Sequence, residues 1–183
     1  MGDGGAGTHG VGPRLDFREA QGECGPYVAT YYLYRNDAPV VDGVERVDCG
    51  QIRFLLKGEG TLSYFDGGAV GSVPVMVNGP ARTAATYHVE GGFHCFGVSL
   101  RPIGWRALIG RPAHRVPHVI DGRELFGDAA YALLEQLRGM DSVDAMIAAV
   151  EPLLLAHRRP VPKSHLLFAR AVREWSASED LDI

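Results

Sequence analysis

The spacing of apolar residues changes along the chain, from a period of two before residue 101 to a period of three to four after it. Between residues 27 and 101, short runs rich in β-branched and aromatic residues alternate with clusters of Gly, Pro, Asn and Asp. Neighbouring residues of a strand point to opposite faces of a sheet, so this pattern predicts many short strands joined by turns, as in a β-sandwich or barrel. The later pattern predicts helices.

The alternation is clearest in residues 87–100. One side of that segment carries Phe93, Cys95, Gly97 and Ser99, and the other carries His94, Phe96, Val98 and Leu100. Two hairpins are predicted from glycines, which tolerate the positive φ of tight turns. Residues 91–92 (Gly-Gly) form the first predicted turn. Residues 57–60 (Lys-Gly-Glu-Gly) form the second, between strands at 51–56 and 61–65. Further strands are predicted at residues 27–35, 73–78 and 83–90.

The second half of the chain predicts four helices. They span residues 102–109, 125–137, 142–157 and 164–176. Pro102 suits a first helical turn, and Gly110 and Gly139 suit helix ends. Ser142 or Asp141 can cap the third helix. Strands followed by helices predict an α+β protein.

The composition is that of an ordinary globular protein. The chain has 183 residues, which is enough to bury a core within one domain. No apolar run is long enough to cross a bilayer, and the Gly-rich start lacks the pattern of a secretory leader. We therefore expect a cytoplasmic protein with no membrane partner. Three widely spaced cysteines, Cys24, Cys49 and Cys95, are expected to be free thiols.

The charge pattern argues against DNA binding by this chain alone. Its formal net charge is −4, with Lys and Arg spread along the sequence. Domains that bind nucleic acids usually carry a basic face. A short basic patch at residues 158–163 is interrupted by Pro160 and Pro162, which predict a stiff linker.

Three segments carry a family likeness. They are VDCGQIRFLL at residues 47–56, VNGP at 77–80 and FGVSLRPIGWRALIGRPAHRV at 96–116. The last segment matches best, because it combines a strand, an Arg-Pro turn and a short helix in that order. Together they resemble the N-terminal half of AraC-type transcription regulators, in the subgroup with a cupin-like sensor domain.

The resemblance implies a cupin-like antiparallel β-barrel followed by a helical segment. Such a domain would sense a small-molecule effector, form a homodimer and need no cofactor. It would contact DNA only through the helix-turn-helix half that follows in such regulators. Residues 181–183 (Leu-Asp-Ile) resemble the opening of the first of those helices, so we expect this sequence to come from a longer protein. A regulatory domain is favoured over an enzyme.

This interpretation divides the chain into four parts. They are a disordered N-terminus at residues 1–20, the barrel at 21–101, a helical dimerisation segment at 102–159, and a linker helix at 160–183 leading to a DNA-binding domain outside this sequence. The mouth of a barrel is a common ligand site. The predicted ligand-binding residues are Tyr31, Arg53, Phe54, Tyr64, Phe96 and Trp105. The alternative is that the aromatic side chains simply fill the barrel, which we favour for Phe54 and Phe96.

Arg53 is the most informative of these residues. Inside a barrel its charge would need an anionic partner or an anionic ligand. It alternates with Ile52 and Phe54, however, so a position facing solvent is the other interpretation.

A metal-dependent cupin enzyme is the alternative function. His88 and His94 flank the predicted Gly-Gly turn, with Glu90 nearby, so a hairpin could bring these side chains together as metal ligands. The close His-x-His spacing typical of cupin metal sites is absent. Isolated histidines on strands are usually surface or hydrogen-bonded residues, so the metal site stays the less favoured interpretation.

The helix predicted at residues 142–157 has an apolar stripe that suits a dimer contact. Its predicted interface residues are Val143, Met146, Ile147, Val150 and Leu154. The resemblance to AraC-type regulators implies that helices after the barrel form the dimer contact. The alternative is a helix that covers the core of its own chain, which is the commoner use of such a stripe.

Overall fold

The fold is built on one antiparallel sheet. The computed structural model describes residues 12–177, and within them eight strands pair with one another. The strands are β1 (Arg14–Glu19), β2 (Val28–Asn36), β3 (Val40–Glu45), β4 (Gln51–Tyr64), β5 (Ala69–Gly71), β6 (Val75–Asn78), β7 (Ala85–Leu100) and β8 (Val119–Asp121). Their order is β1-β2-β7-β4-β6-β8, with β3 paired to β7 and β5 paired to β4. The α+β class is confirmed, and closure into a barrel stays a prediction.

The long strands β4 and β7 form the spine of the sheet. They pair along almost their whole length. The C-terminal half of β7 also pairs with β2, and its N-terminal half pairs with β3. Residues of β2 and β4 therefore face each other across β7, which sets the position of the candidate site.

Both predicted hairpin loops are wrong, because β4 and β7 continue as strands through these residues. The glycines serve instead at a shared irregularity. Gly58, Gly91 and Gly92 have φ of 90°, 78° and 85°, and the register of β4 on β7 shifts on either side of Lys57. Glycine inside a strand often marks a bulge, where positive φ bends the strand without ending it. The sequence signal for a turn and for a bulge is the same.

After β7 the chain is mainly helical, as predicted. The helices are α1 (Pro102–Gly104), α2 (Arg123–Phe126), α3 (Asp128–Arg138), α4 (Val143–Ala156) and α5 (Lys163–Ala177), with a π-helical turn at Trp105–Ile109 and a 3₁₀ turn at Ala113–Arg115. The short strand β8 lies between α1 and α2. The helix predicted at 125–137 is divided by Gly127, which has φ of 65°. Ser142 caps α4 as predicted, because its hydroxyl accepts a hydrogen bond from the backbone N–H of Ala145. Within residues 12–177, no helix has the length and apolar character needed to span a membrane.

The main core lies between one face of the sheet, here called the outer face, and the helices α3 and α4. The outer face consists of side chains that are at most 2% exposed: Tyr31, Leu33, Ile52, Phe54, Val75, Val77, Phe96, Val98 and Leu100. The helices contribute Leu133, Leu134, Leu137, Met146, Val150 and Leu154 to the same cluster. The opposite, inner face carries the candidate site described below.

The apolar stripe of α4 is used within the chain, which corrects the predicted dimer interface. Val143, Met146, Val150 and Leu154 are buried in the main core, and the half-buried Ile147 packs against it. The stripe therefore covers the outer face of the sheet, as in the alternative interpretation. A homodimer stays a prediction and would need a different surface.

The predicted disordered N-terminus is wrong for residues 14–19. These residues form β1 and pair with β2 over six consecutive positions. The short alternation of Leu15 and Phe17 with charged residues is a strand pattern that the glycine-rich composition around it obscured. Residues 1–11, and the predicted helix opening at 181–183, lie outside the described residues.

Candidate functional site

A cavity of about 320 Å³ lies on the inner face of the sheet. Its volume is at the lower end of the range typical of small-molecule sites, about 300–1,000 Å³. Most of its wall is apolar and comes from Leu15, Phe17, Tyr34, Leu55, Leu62, Met76, Tyr87, Val89, Phe93 and Cys95. Strands β1, β2, β4, β6 and β7 all contribute, so the fold brings together residues that are far apart in sequence.

Arg53 and Glu45 form an ion pair in the cavity wall. The two terminal nitrogens of Arg53 each donate to one carboxylate oxygen of Glu45, and both distances are 2.7 Å. The side chains of Arg53 and Glu45 are only 14% and 21% exposed. A bidentate pair of this kind is the strongest arrangement between a guanidinium and a carboxylate. Because little water reaches it, the pair also fixes the position of both charges.

A chain of hydrogen bonds extends from this ion pair. The Arg53 Nε–H is 3.0 Å from the Tyr32 hydroxyl oxygen and 2.9 Å from Gln51 Oε1. The Tyr32 hydroxyl donates to the same Gln51 oxygen at 2.7 Å, and the Gln51 amide nitrogen donates to Asp48 at 2.5 Å. Glu45, Arg53, Tyr32, Gln51 and Asp48 thus form one connected polar network along the cavity wall.

Register explains why Tyr32 and Arg53 meet. Both residues are paired with Gly97, on either side of β7. A Cβ atom at Gly97 would overlap the Tyr32 ring, so the missing side chain lets that ring lie across β7 and reach Arg53. Gly97 therefore determines the shape of the polar network without contributing a polar group.

Burial makes two side chains of the wall, Tyr32 and Cys95, weaker acids than usual. It raises the pKa of the Tyr32 hydroxyl, and it raises the pKa of the Cys95 thiol to about 12. Cys95 therefore stays protonated at neutral pH, whereas a nucleophilic cysteine needs a thiolate. The wall is suited to binding through apolar contact and neutral hydrogen bonds.

Of the six predicted ligand-binding residues, only Arg53 lines this cavity. Tyr31, Phe54 and Phe96 lie on the outer face in the main core, which agrees with the preference for core filling at Phe54 and Phe96. The anionic partner expected for a buried Arg53 is Glu45.

The other two predicted residues lie elsewhere. Trp105 is in the main core, where its indole N–H donates to the carbonyl of Arg111 at 2.8 Å. Tyr64 lines a separate small cavity and stacks on His118, with ring centroids 3.7 Å apart. Neither residue contributes to the wall around Arg53.

Sequence reasoning missed most of the wall, including Tyr32, Gln51, Glu45, Tyr87 and Phe93. Part of the signal was available. Alternate residues of a strand share a face, so Arg53 predicts that Gln51 and Leu55 lie beside it. The pairing of strands, which adds Tyr32 and Glu45, has no comparable local signal.

The structure does not bring the alternative metal ligands together. His88 Nδ1 lies 2.7 Å from Asp42, and His94 Nε2 lies 2.8 Å from Asp37. Of the other two proposed ligands, Glu90 approaches His88 at 3.5 Å, whereas His94 has no contact with it among the described residues. Because β7 is continuous, the two histidines are six residues apart at about 3.3 Å per residue. Across residues 12–177, no three His, Cys, Asp or Glu side chains are arranged to hold a metal ion.

Comparison with known proteins gives a distant likeness in fold. The chain matches no family model and no curated protein. Among solved structures it is similar to a cupin superfamily protein from Desulfitobacterium hafniense DCB-2. The sequence identity is 20% and the TM-score is 0.35, over 48% of this chain and 77% of that one. So distant a likeness carries no argument about function, and the AraC-type assignment stays a prediction from the sequence.

Proposed function

We propose that this chain is a ligand-binding domain whose inner-face cavity holds a small effector molecule, and that it serves as the sensor of an AraC-type transcription regulator. The observation that carries the binding role is the contrast within the cavity wall. An extensive apolar surface surrounds one fixed polar network, centred on Arg53 and Glu45. Ligand sites combine these two features, because apolar contact provides affinity and a few polar groups set orientation. The AraC-type role rests on the sequence resemblance.

Binding is favoured over catalysis by the chemistry of the wall. Nucleophilic catalysis needs an activated nucleophile with a base in hydrogen-bond reach. The thiol in the wall, Cys95, has a pKa of about 12, and no histidine is among the cavity-lining residues that the structure describes. Both oxygens of the Glu45 carboxylate already accept hydrogen bonds from Arg53.

Several contacts connect the strands of the cavity to the helices. Arg18 of β1 lies 2.9 Å from Asp144 of α4, and Arg35 of β2 lies 3.4 Å from Asp141. Arg138 of α3 donates to the carbonyl of Leu55 at 3.4 Å. A ligand that binds one arrangement of these strands more tightly would therefore bias the helices as well. We propose that the protein senses an effector through this linkage between the cavity strands and the helices.

A thermal-shift screen of metabolites tests the binding role. A ligand at one hundred times its Kd should stabilise the fold by about 2.7 kcal/mol, which raises Tm by about 5–10 °C. The variant Leu62→Trp fills part of the cavity and should abolish the shift. Val44→Trp is the matched control, because Val44 is 58% exposed and does not line the cavity. Stabilisation that survives in Leu62→Trp, or the absence of any stabilising compound, would contradict the proposed function.

A further inference from the structure

We infer that the cavity selects uncharged aromatic ligands that carry a hydrogen-bond acceptor, and that Glu45 is the residue that excludes anions. This inference rests on the proposed function and specifies its ligand class. It reverses the simplest expectation for a buried arginine, which is that its charge attracts a carboxylate or phosphate.

The geometry of Arg53 leaves no room for an anion in its best position. Both terminal nitrogens are already engaged with the two oxygens of Glu45, each at 2.7 Å. An anionic ligand would have to displace Glu45 from this pair. The displaced carboxylate would then lie in a poorly hydrated wall without its partner, and a charge in that state is strongly disfavoured.

The charges of the cavity wall also disfavour an anionic ligand. Among the described residues that line the cavity, Arg53 is the positive side chain, and Glu45 and Asp48 are the negative ones. The formal charge of the wall is therefore −1. The nearest cation on β4, Lys57, pairs with Asp37 at 3.4 Å and does not line the cavity. An anion inside would therefore meet a wall that has no net positive charge to attract it.

Arg53 can still donate to a neutral ligand. A guanidinium has five N–H donors. Glu45 accepts two of them, and Tyr32 and Gln51 share the Nε–H. Within residues 12–177, two donors on the terminal nitrogens have no partner. An amide, carbonyl or phenol oxygen suits such donors, because it accepts a hydrogen bond without adding a charge.

The apolar part of the wall favours a flat aromatic ligand body. Phe93 lies between Tyr34 and Tyr87, with ring centroids 5.2 and 5.8 Å away. Phe17 adds a fourth ring near Tyr32, at 6.4 Å. Aromatic rings at these separations attract one another in tilted or offset arrangements, and an aromatic ligand can join such a group.

Isothermal titration with two probes tests the inference. The probes are 2-naphthamide and 2-naphthoate at neutral pH, which share a skeleton and differ in charge. Wild-type protein should bind the amide at least about tenfold more tightly than the carboxylate. Glu45→Gln, which frees the Arg53 charge, should reverse that preference. Glu135→Gln changes the net charge equally on α3, away from the cavity, and should leave the preference as in wild type.

Each outcome decides the matter. Equal or tighter binding of 2-naphthoate by wild-type protein, or an unchanged preference in Glu45→Gln, would overturn the ligand class and leave a binding cavity in place. If neither probe binds but another compound from the thermal screen does, the class is also wrong. If nothing binds, the proposed function fails as well. Should Glu45→Gln not fold, Glu45→Asp takes its place: its shorter side chain weakens the pair with Arg53, so the preference for the amide should narrow, and an unchanged preference would overturn the ligand class.

Discussion

The two faces of the sheet are formed by alternate residues of the same strands, yet their surroundings differ. On the outer face, Ile52 and Phe54 of β4 are completely buried beneath α3 and α4. On the inner face, Gln51, Arg53 and Leu55 of the same strand line a cavity. One face is filled by helices and stabilises the chain, whereas the other is left open and carries polar groups. A change of one residue in register therefore separates a position in the core from a position in the cavity wall.

The inner face stays open because its side chains contact and support one another. No helix covers it within residues 12–177, and aromatic rings lie instead across small residues of neighbouring strands. Tyr32 lies across Gly97, and Tyr87 lies across Gly43. The ion pair of Arg53 with Glu45 adds a fixed polar point. Such a surface holds its shape without being filled, which a binding site requires.

The largest predicted effect separates the two faces by stability. Phe96→Ala should cost about 3–5 kcal/mol, because it opens a void in a closed core. Phe93→Ala, three residues earlier on the same strand, should cost less than half as much, since it enlarges a cavity that already exists. Urea denaturation measures both changes. Equal costs would show that the inner face is packed as tightly as the outer face.

The second effect concerns the charged pair of the inner face. Glu45→Gln leaves the Arg53 guanidinium without its counter-charge and should destabilise the fold by about 3 kcal/mol. The double variant Glu45→Gln, Arg53→Met should recover most of that loss, because it removes both charges. Urea denaturation of the two variants checks this prediction. A double variant that is less stable than the single one would mean that the pair itself stabilises the fold.

The third effect concerns the glycines that bend β4 and β7 around the cavity. Gly58 and Gly67 both have positive φ, of 90° and 104°. Gly67→Ala should cost about 1–2 kcal/mol from its backbone conformation alone, because the surrounding space is open. Gly58→Ala should cost distinctly more, since the new Cβ atom would overlap the carbonyl oxygen of Gly92. Similar values for the two variants would contradict a bulge at this position.

The smallest effect lies at the solvent-exposed part of β7. Hydrogen bonds with Asp42 and then Glu90 favour the charged ring of His88 and raise its pKa above 6.5. A raised pKa stabilises the fold fully below pH 6.5, and this contribution is lost as the pH rises through the folded-state value. His88→Gln should therefore lower Tm slightly at pH 5.5 and leave it unchanged at pH 9, whereas His165→Gln serves as the exposed control. A difference that grows with pH would have the wrong sign.

Much of the fold could be predicted from local patterns, and the failures have physical causes. The helices and the alternation of β7 follow from the periods of three to four and of two, which depend on nearby residues. The hairpin predictions failed at Gly58 and Gly91, because positive φ serves a bulge as well as a turn. The predicted interface residues Met146 and Val150 lie instead in the core of their own chain, because an apolar stripe does not reveal which surface covers it.

The candidate site was harder to predict than the fold. Arg53 was identified through the rule that a buried charge needs a partner. The actual partner of Arg53 is Glu45, which lies eight residues away in β3. Tyr32 reaches Arg53 across Gly97. The predicted Tyr31 faces the main core, and its neighbour Tyr32 faces the cavity. Only the register of three strands, which depends on distant pairing, settles which of the two faces the cavity.

Methyl NMR with 2-naphthamide tests the division of the two faces most directly. The probe should shift methyl signals of the inner-face residues Leu55, Leu62 and Met76, and leave those of the outer-face residues Ile52 and Val98 unchanged. Shifts confined to the outer face or the helices would contradict a binding cavity on the inner face, as would no shift at any probe concentration.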